Sequence, residues 1–98
     1  MYAVIFKAKT NKLDANYQKL AKKMRYLAIT EYNCIDFISA TEGDVEIAIS
    51  YWHKKCDIKK WKNNTEHKKA QKLGINKWYK SYKIEIVKIK HNYKSSKL

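Results

Sequence analysis

Two β-type runs, IDFISAT (residues 35–41) and VEIAISYW (45–52), flank Glu42, Gly43 and Asp44, and this junction constrains the chain more than any other. Branched and aromatic residues on both sides of a glycine-bearing turn specify an antiparallel hairpin. The chain has 98 residues, no proline and only one further glycine, Gly74, so few other breaks are marked. That length allows one compact domain and not two with independent cores. In the second strand Val45, Ile47, Ile49 and Tyr51 share one face, while Glu46, Ala48, Ser50 and Trp52 share the other. The small side chains at 48 and 50 suit a cavity wall or a partner surface.

The flanking segments supply the remaining elements. YAVIFKAK (2–9) reads as a first strand covered on much of both faces. Asp14 then caps a helix in which Tyr17, Leu20, Ala21, Met24, Leu27 and Ala28 recur at helical spacing. A second helical pattern starts at Cys56, with Ile58 and Trp61. Continued unbroken, it would turn His67 about 180° away from Ile58. A break at Asn63 and Asn64 removes the conflict, with Asn63 and Glu66 expected as a capping box. The restarted helix then points a stripe of His67, Ala70 and Leu73 or Gly74 at the sheet, Gly74 is its expected left-handed stop, and Ile75 is expected to fold back on the last turn. SYKIEIVKIK (81–90) is the last strand, leaving 91–98 as a basic, polar tail.

Strand, helix, strand, strand, broken helix, strand is the split βαβ arrangement. The expected fold is α+β, ferredoxin-like βαββαβ: one domain over residues 1–90 with a four-stranded antiparallel sheet and its helices on one face. The uncovered face keeps apolar side chains, and a chain this small buries only about 60–65% of its surface alone. A homodimer packed sheet on sheet is therefore expected.

The net charge of +13 points to an anionic partner, yet only Arg25 among 22 basic residues is arginine, and the lysines are dispersed along the chain. Strand three also lacks the basic-glycine-aromatic signature of RNA-recognition modules, which argues against a nucleic-acid function. No apolar run is long enough for a membrane span and no secretory signal is recognisable, so a cytoplasmic location is expected. Cys34 and Cys56 are read as reduced thiols, Cys34 as a small buried hydrophobe. His53 and Cys56, with no second pair, imply no metal site. The match of Asn63, Asn64 and Thr65 to a glycosylation sequon is read as accidental.

With its elements placed, the chain resembles the antibiotic biosynthesis monooxygenase family of dimeric α+β barrels over residues 2–90. The resemblance rests on YAVIFKAK, on TEGDVEIAISYW, on YWHKKCDIKKWKNNTEHKKAQKLG and on GINKWYKSYKIEIVKI. It implies a cofactor-independent monooxygenase or quinol oxidase acting on a small aromatic phenol or quinol with O2. Such chemistry needs a flat apolar slot, a group to take a proton and donors to steady an oxyanion. The family's haem-degrading branch would need an asparagine in the first strand and a histidine about ten residues after Trp61. Here Phe6 and Lys7 occupy that strand and Gln71 that later position, so no haem is expected.

His67 is the candidate base and Trp61 its catalytic companion. Trp52, Tyr51 and Phe37 are candidate aromatic walls, and Asn63, Asn64 and Tyr79 candidate hydrogen-bond donors. Each has a plainer reading: Trp61 as core packing, His67 as a histidine bonded to backbone, Trp78 and Tyr79 as supports for the loop after Gly74. A non-catalytic dimer holding a small ligand is the alternative function.

Overall fold

The structure is a computed structural model that describes residues 1–95. Four strands, β1 (Tyr2–Thr10), β2 (Asp36–Glu42), β3 (Val45–Trp52) and β4 (Tyr79–Lys88), form one antiparallel sheet in the order β2-β3-β1-β4. Helices α1 (Ala15–Glu31), α2 (Lys55–Lys62) and α3 (Thr65–Leu73) connect them, and α3 runs into a π-helical turn, Gly74–Trp78. This is the expected split βαββαβ architecture. No helix among the described residues is long and apolar enough to cross a membrane.

The hairpin forms as its turn chemistry requires. Glu42 pairs with Val45, so Gly43 and Asp44 make a two-residue turn, and Gly43 sits at φ 60°, the value a tight hairpin demands there. Register fixes the faces: Val4 lies beside Ser50 and Ile86, Phe6 beside Ala48 and Ile84, and Phe37 beside Ser50. These positions line the helix side. Ile5, Ile38, Ile47, Ile49, Tyr51 and Val87 alternate to the opposite side.

α1 begins where Asp14 accepts the Tyr17 amide at 2.9 Å, and it buries Tyr17, Met24 and Ala28. It ends at Asn33, whose positive φ of 64° lets the Cys34 amide reach back to the Ala28 carbonyl at 2.9 Å. Val4, Met24, Ala28, Cys34, Trp52, Ile58 and Trp61 form the buried core cluster, where α1 and α2 meet one end of the sheet. Cys34 is buried, and its thiol donates to the Asp36 carbonyl at 3.1 Å; burial pushes its pKa up. Cys56 is exposed.

The helix break lies where the asparagines stand, with the roles of the pair shifted by one. Asn63 ends α2, its amide bonded to Lys59 at 3.0 Å. Asn64 starts α3: its carbonyl accepts the Lys68 amide at 3.0 Å, and its side chain accepts the His67 amide at 3.4 Å. Asn64 therefore caps α3 in place of Asn63, while the expected part of the Glu66 side chain lies outside the described residues. Gly74 does not stop α3 in a left-handed conformation, because Gly43 is the only positive-φ glycine among the described residues. Its lack of a side chain serves packing instead: a Cβ there would run into the Tyr79 ring. Ile75 belongs to the π-helical turn that follows, and this turn delivers the chain into β4 two residues before the expected start. The expected tail has no regular structure over 91–95, and its remainder lies outside the described residues.

Candidate functional site

A cavity of 530 Å³ lies between the helices and the sheet. That is within the range of small-molecule sites. Leu13 and, from α1, Tyr17, Leu20, Ala21 and Met24 form one long wall, and the sheet supplies Val4, Phe6, Phe37, Ala48, Ser50 and Ile84 as the floor. The small residues at 48 and 50 are what leave the space open. α3, the π-helical turn and the start of β4 close the third side through His67, Ala70, Trp78 and Tyr79.

One end of this cavity is built around Trp61. Its indole lies tilted against Trp52 with ring centres 5.4 Å apart and edge-on to Phe37 at 6.1 Å. Its Nε1 donates to the Met24 carbonyl at 3.2 Å, so the ring is locked between α1 and the sheet. His67 stands edge-on to Trp61 with ring centres 4.4 Å apart. Burial, helped by the nearby Lys62 charge, holds the His67 pKa down at about 4, so the imidazole is neutral at physiological pH. Its Nδ1 is buried and has no hydrogen-bond partner among the described residues.

The opposite end is a tyrosine cluster. Tyr17 and Tyr79 meet edge-on with ring centres 6.2 Å apart. Burial raises the pKa of both, each with a further push from Glu46, so both remain neutral phenols. Phe6 packs on Tyr79 at 5.3 Å, and Trp78 packs edge-on to Tyr17 at 5.2 Å. Glu46 accepts a hydrogen bond from Thr41.

Of the residues singled out from the sequence, the structure brings His67, Trp61, Phe37 and Tyr79 to the cavity wall. Four others are placed elsewhere. Tyr51 is on the opposite side of the sheet, because β3 alternates and Trp52 takes the helix side. Trp52 is fully buried behind Trp61, its Nε1 donating to Ser50 Oγ at 2.8 Å, so it backs the wall without lining it. Asn63 is exposed at the end of α2, and Asn64 spends its side chain on the cap and on the Tyr32 hydroxyl at 2.9 Å. The backbone demand of the helix break claims both asparagines.

Ser50 lines the cavity as its small size suggested, and Tyr17, Glu46 and Arg25, none of them singled out as a site residue from the sequence, line it too. Tyr17 carried a signal, as the first aromatic on the inward stripe of α1. Glu46 and Ser50 carried another, as polar residues on the same strand face as Trp52. Arg25 carried none in the helical pattern.

No family model matches the chain. The uncharacterised protein YqjZ of Bacillus subtilis is 34% identical over 89 residues, which are 90% of this chain and 78% of that protein. A mutant form of SnoaB, a cofactor-independent oxygenase from Streptomyces nogalater, superposes with a TM-score of 0.77 at 5% identity, over 93% of this chain and 94% of that one. A solved antibiotic biosynthesis monooxygenase superposes with a TM-score of 0.75 at 12% identity, over 91% of this chain and 98% of that one. At such identities the two structures show a shared fold, and YqjZ is a relative in sequence.

Proposed function

We propose that this chain, a member of the family of YqjZ with the fold of solved antibiotic biosynthesis monooxygenases, is a cofactor-independent monooxygenase or quinol oxidase whose aromatic phenol or quinol substrate binds in the 530 Å³ cavity. The observation that carries this reading is the neutral His67 imidazole set in the cavity wall against Trp61. With Nδ1 sealed from solvent, the ring meets a ligand through Nε2, as the acceptor for a substrate hydroxyl. An imidazole with a pKa of about 4 takes little from a free phenol. Inside the cavity the transfer creates a phenolate beside an imidazolium, and their attraction at low effective dielectric offsets the desolvation that holds His67 neutral.

The electron-rich phenolate then gives an electron to O2. For a quinol the balance is quinol plus O2 to quinone plus H2O2: two C–O–H groups become carbonyls, and both protons and both electrons end on oxygen. The neutral Tyr17 and Tyr79 phenols, at the other end of the cavity, are donors that steady the oxygen developing carbonyl character there.

The functional unit in this reading is the domain over residues 1–90, acting as a homodimer in the cytoplasm. Support for the dimer comes from the uncovered sheet face, where Ile38 is 57% exposed, Val87 39% and Ile47 36%. Oxygen uptake with 1,4-dihydroxynaphthalene and 2-methyl-1,4-dihydroxynaphthalene, above the uncatalysed rate, is the test. Uptake that falls by about 10²–10⁴-fold in His67→Ala supports the assignment. Binding without uptake in the unaltered protein assigns the chain instead to the non-catalytic, ligand-holding dimers.

A further inference from the structure

We propose that the cavity selects an elongated aromatic anion, with Arg25 reading a carboxylate at one end and the Tyr17–Tyr79 pair bonding a hydroxyl at the other. This rests on the preceding reading only in taking the cavity as the ligand site, and it adds the charge and the length of the ligand.

The charge follows from what lines the space. Lys22, Arg25 and Lys62 stand on its wall, and Glu46 is the one acid there among the described residues. Glu46 lies at the opposite end from Arg25 and Lys62. Arg25 lies over the Phe37 ring, 5.9 Å from guanidinium carbon to ring centre, and Phe37 abuts Trp61. Lys62 is close enough to His67 to lower its basicity, which places it at that same end. Glu46 pairs with Thr41, four residues along β2 from Phe37, or about 13 Å away. An anion entering the cavity is therefore drawn to the Arg25 end and repelled from the tyrosine end.

Arg25 is also chemically distinct. It is the only arginine in a chain with 22 basic residues, and it is the one whose planar fork matches a carboxylate in two parallel hydrogen bonds. No carboxylate pairs with it among the described residues. Its contact with the Phe37 face holds the guanidinium at the mouth with its donors free for a ligand.

The length follows from the helix and the strand independently. Tyr17 and Arg25 are eight residues apart on α1, a rise of about 12 Å. That agrees with the spacing of about 13 Å along β2. A ligand touching both ends is longer than one six-membered ring with its substituents. Two fused rings with substituents at opposite ends fit, stacked along Phe37 and Trp61.

The test is a matched pair of probes, 6-hydroxy-2-naphthoate and its methyl ester, titrated by calorimetry into the unaltered protein, Arg25→Met and Arg25→Lys. The proposal expects the naphthoate to bind at least about tenfold tighter than the ester. Arg25→Met removes that preference by weakening the naphthoate about tenfold more than the ester, while Arg25→Lys retains part of it. Circular dichroism on each variant separates these effects from unfolding. Equal affinities, or a preference that survives Arg25→Met, overturn the proposal and leave the cavity as the ligand site. If neither probe binds, the proposal and the cavity assignment fall together. A naphthoate preference with no oxygen uptake from quinols upholds the proposal and removes the oxygenase reading alone.

Discussion

The His67 imidazole stands edge-on to the Trp61 indole, 4.4 Å between ring centres, although one belongs to α3 and the other to α2. The two rings meet because Asn63 ends the first helix and Asn64 begins the second. A single regular helix would have carried His67 off the inward face.

Asn64→Ala is therefore expected to cost about 1–2 kcal/mol, since it removes the α3 cap and the bond to Tyr32. Asn63→Ala, at an exposed position, should cost clearly less. Chemical denaturation of both variants checks the order. Equal losses would return the cap to Asn63.

The depressed His67 pKa makes stability depend on pH in a defined window. The folded value of about 4 lies below the model value of 6.5, so the unfolded chain takes up a proton that the folded one does not. The contribution is complete above pH 6.5, is lost as pH falls towards 4, and changes no further below that. Its full size is on the order of 3 kcal/mol. Unfolding free energies of the unaltered protein and His67→Gln, compared across that window, should converge as pH falls. A constant difference between them would mean that His67 titrates normally in the fold.

Gly74→Ala tests why a glycine follows α3. Helix propensity alone favours alanine there by about 1 kcal/mol. The Tyr79 ring occupies the space the new Cβ needs, so we expect destabilisation by about 1–3 kcal/mol. A more stable variant would show that the ring moves aside without cost.

On the open side of the sheet Ile47 sits between Lys7 and Ala40, with Ile5, Ile38 and Ile49 around it, so Ile47→Lys adds a second charge beside Lys7 and takes an apolar side chain from this face. The proposed homodimer should dissociate, with sedimentation giving a monomer for the variant and a dimer for the unaltered protein at micromolar concentration. A monomeric unaltered protein would remove the sheet-on-sheet pairing.

Much of the fold was legible because its signals are local. Alternation around Gly43 gave the hairpin, the stripe through Tyr17, Met24 and Ala28 gave α1, and Asp14 marked its start. The helix break followed from the phase conflict between Ile58 and His67. The cap itself was not legible and fell on Asn64 rather than the expected Asn63, since the two are alike in propensity and only the bonds to His67 and Tyr32 distinguish them.

The site was legible only in part. Strand periodicity already put Trp52 and Tyr51 on opposite faces, and helical spacing put His67 inward. Which aromatic lines a cavity and which merely backs it depends on depth, and depth is set when elements pack. Trp52 lost its place on the wall to Trp61 in that way. The pairing of Tyr17 with Tyr79 joins residues 62 positions apart, and the meeting of Arg25 with Phe37 joins a helix to a strand.

Composition, periodicity and turn chemistry thus determined the element order, the sheet faces and the need for a helix break, because each acts over a few residues of backbone. Tertiary packing alone decided the use of Gly74, the depth of each aromatic, the neutral state of His67 and the separation of Arg25 and Lys62 from Glu46 in the cavity. Those properties come from desolvation and from distances between elements, which are set only when the helices close over the sheet.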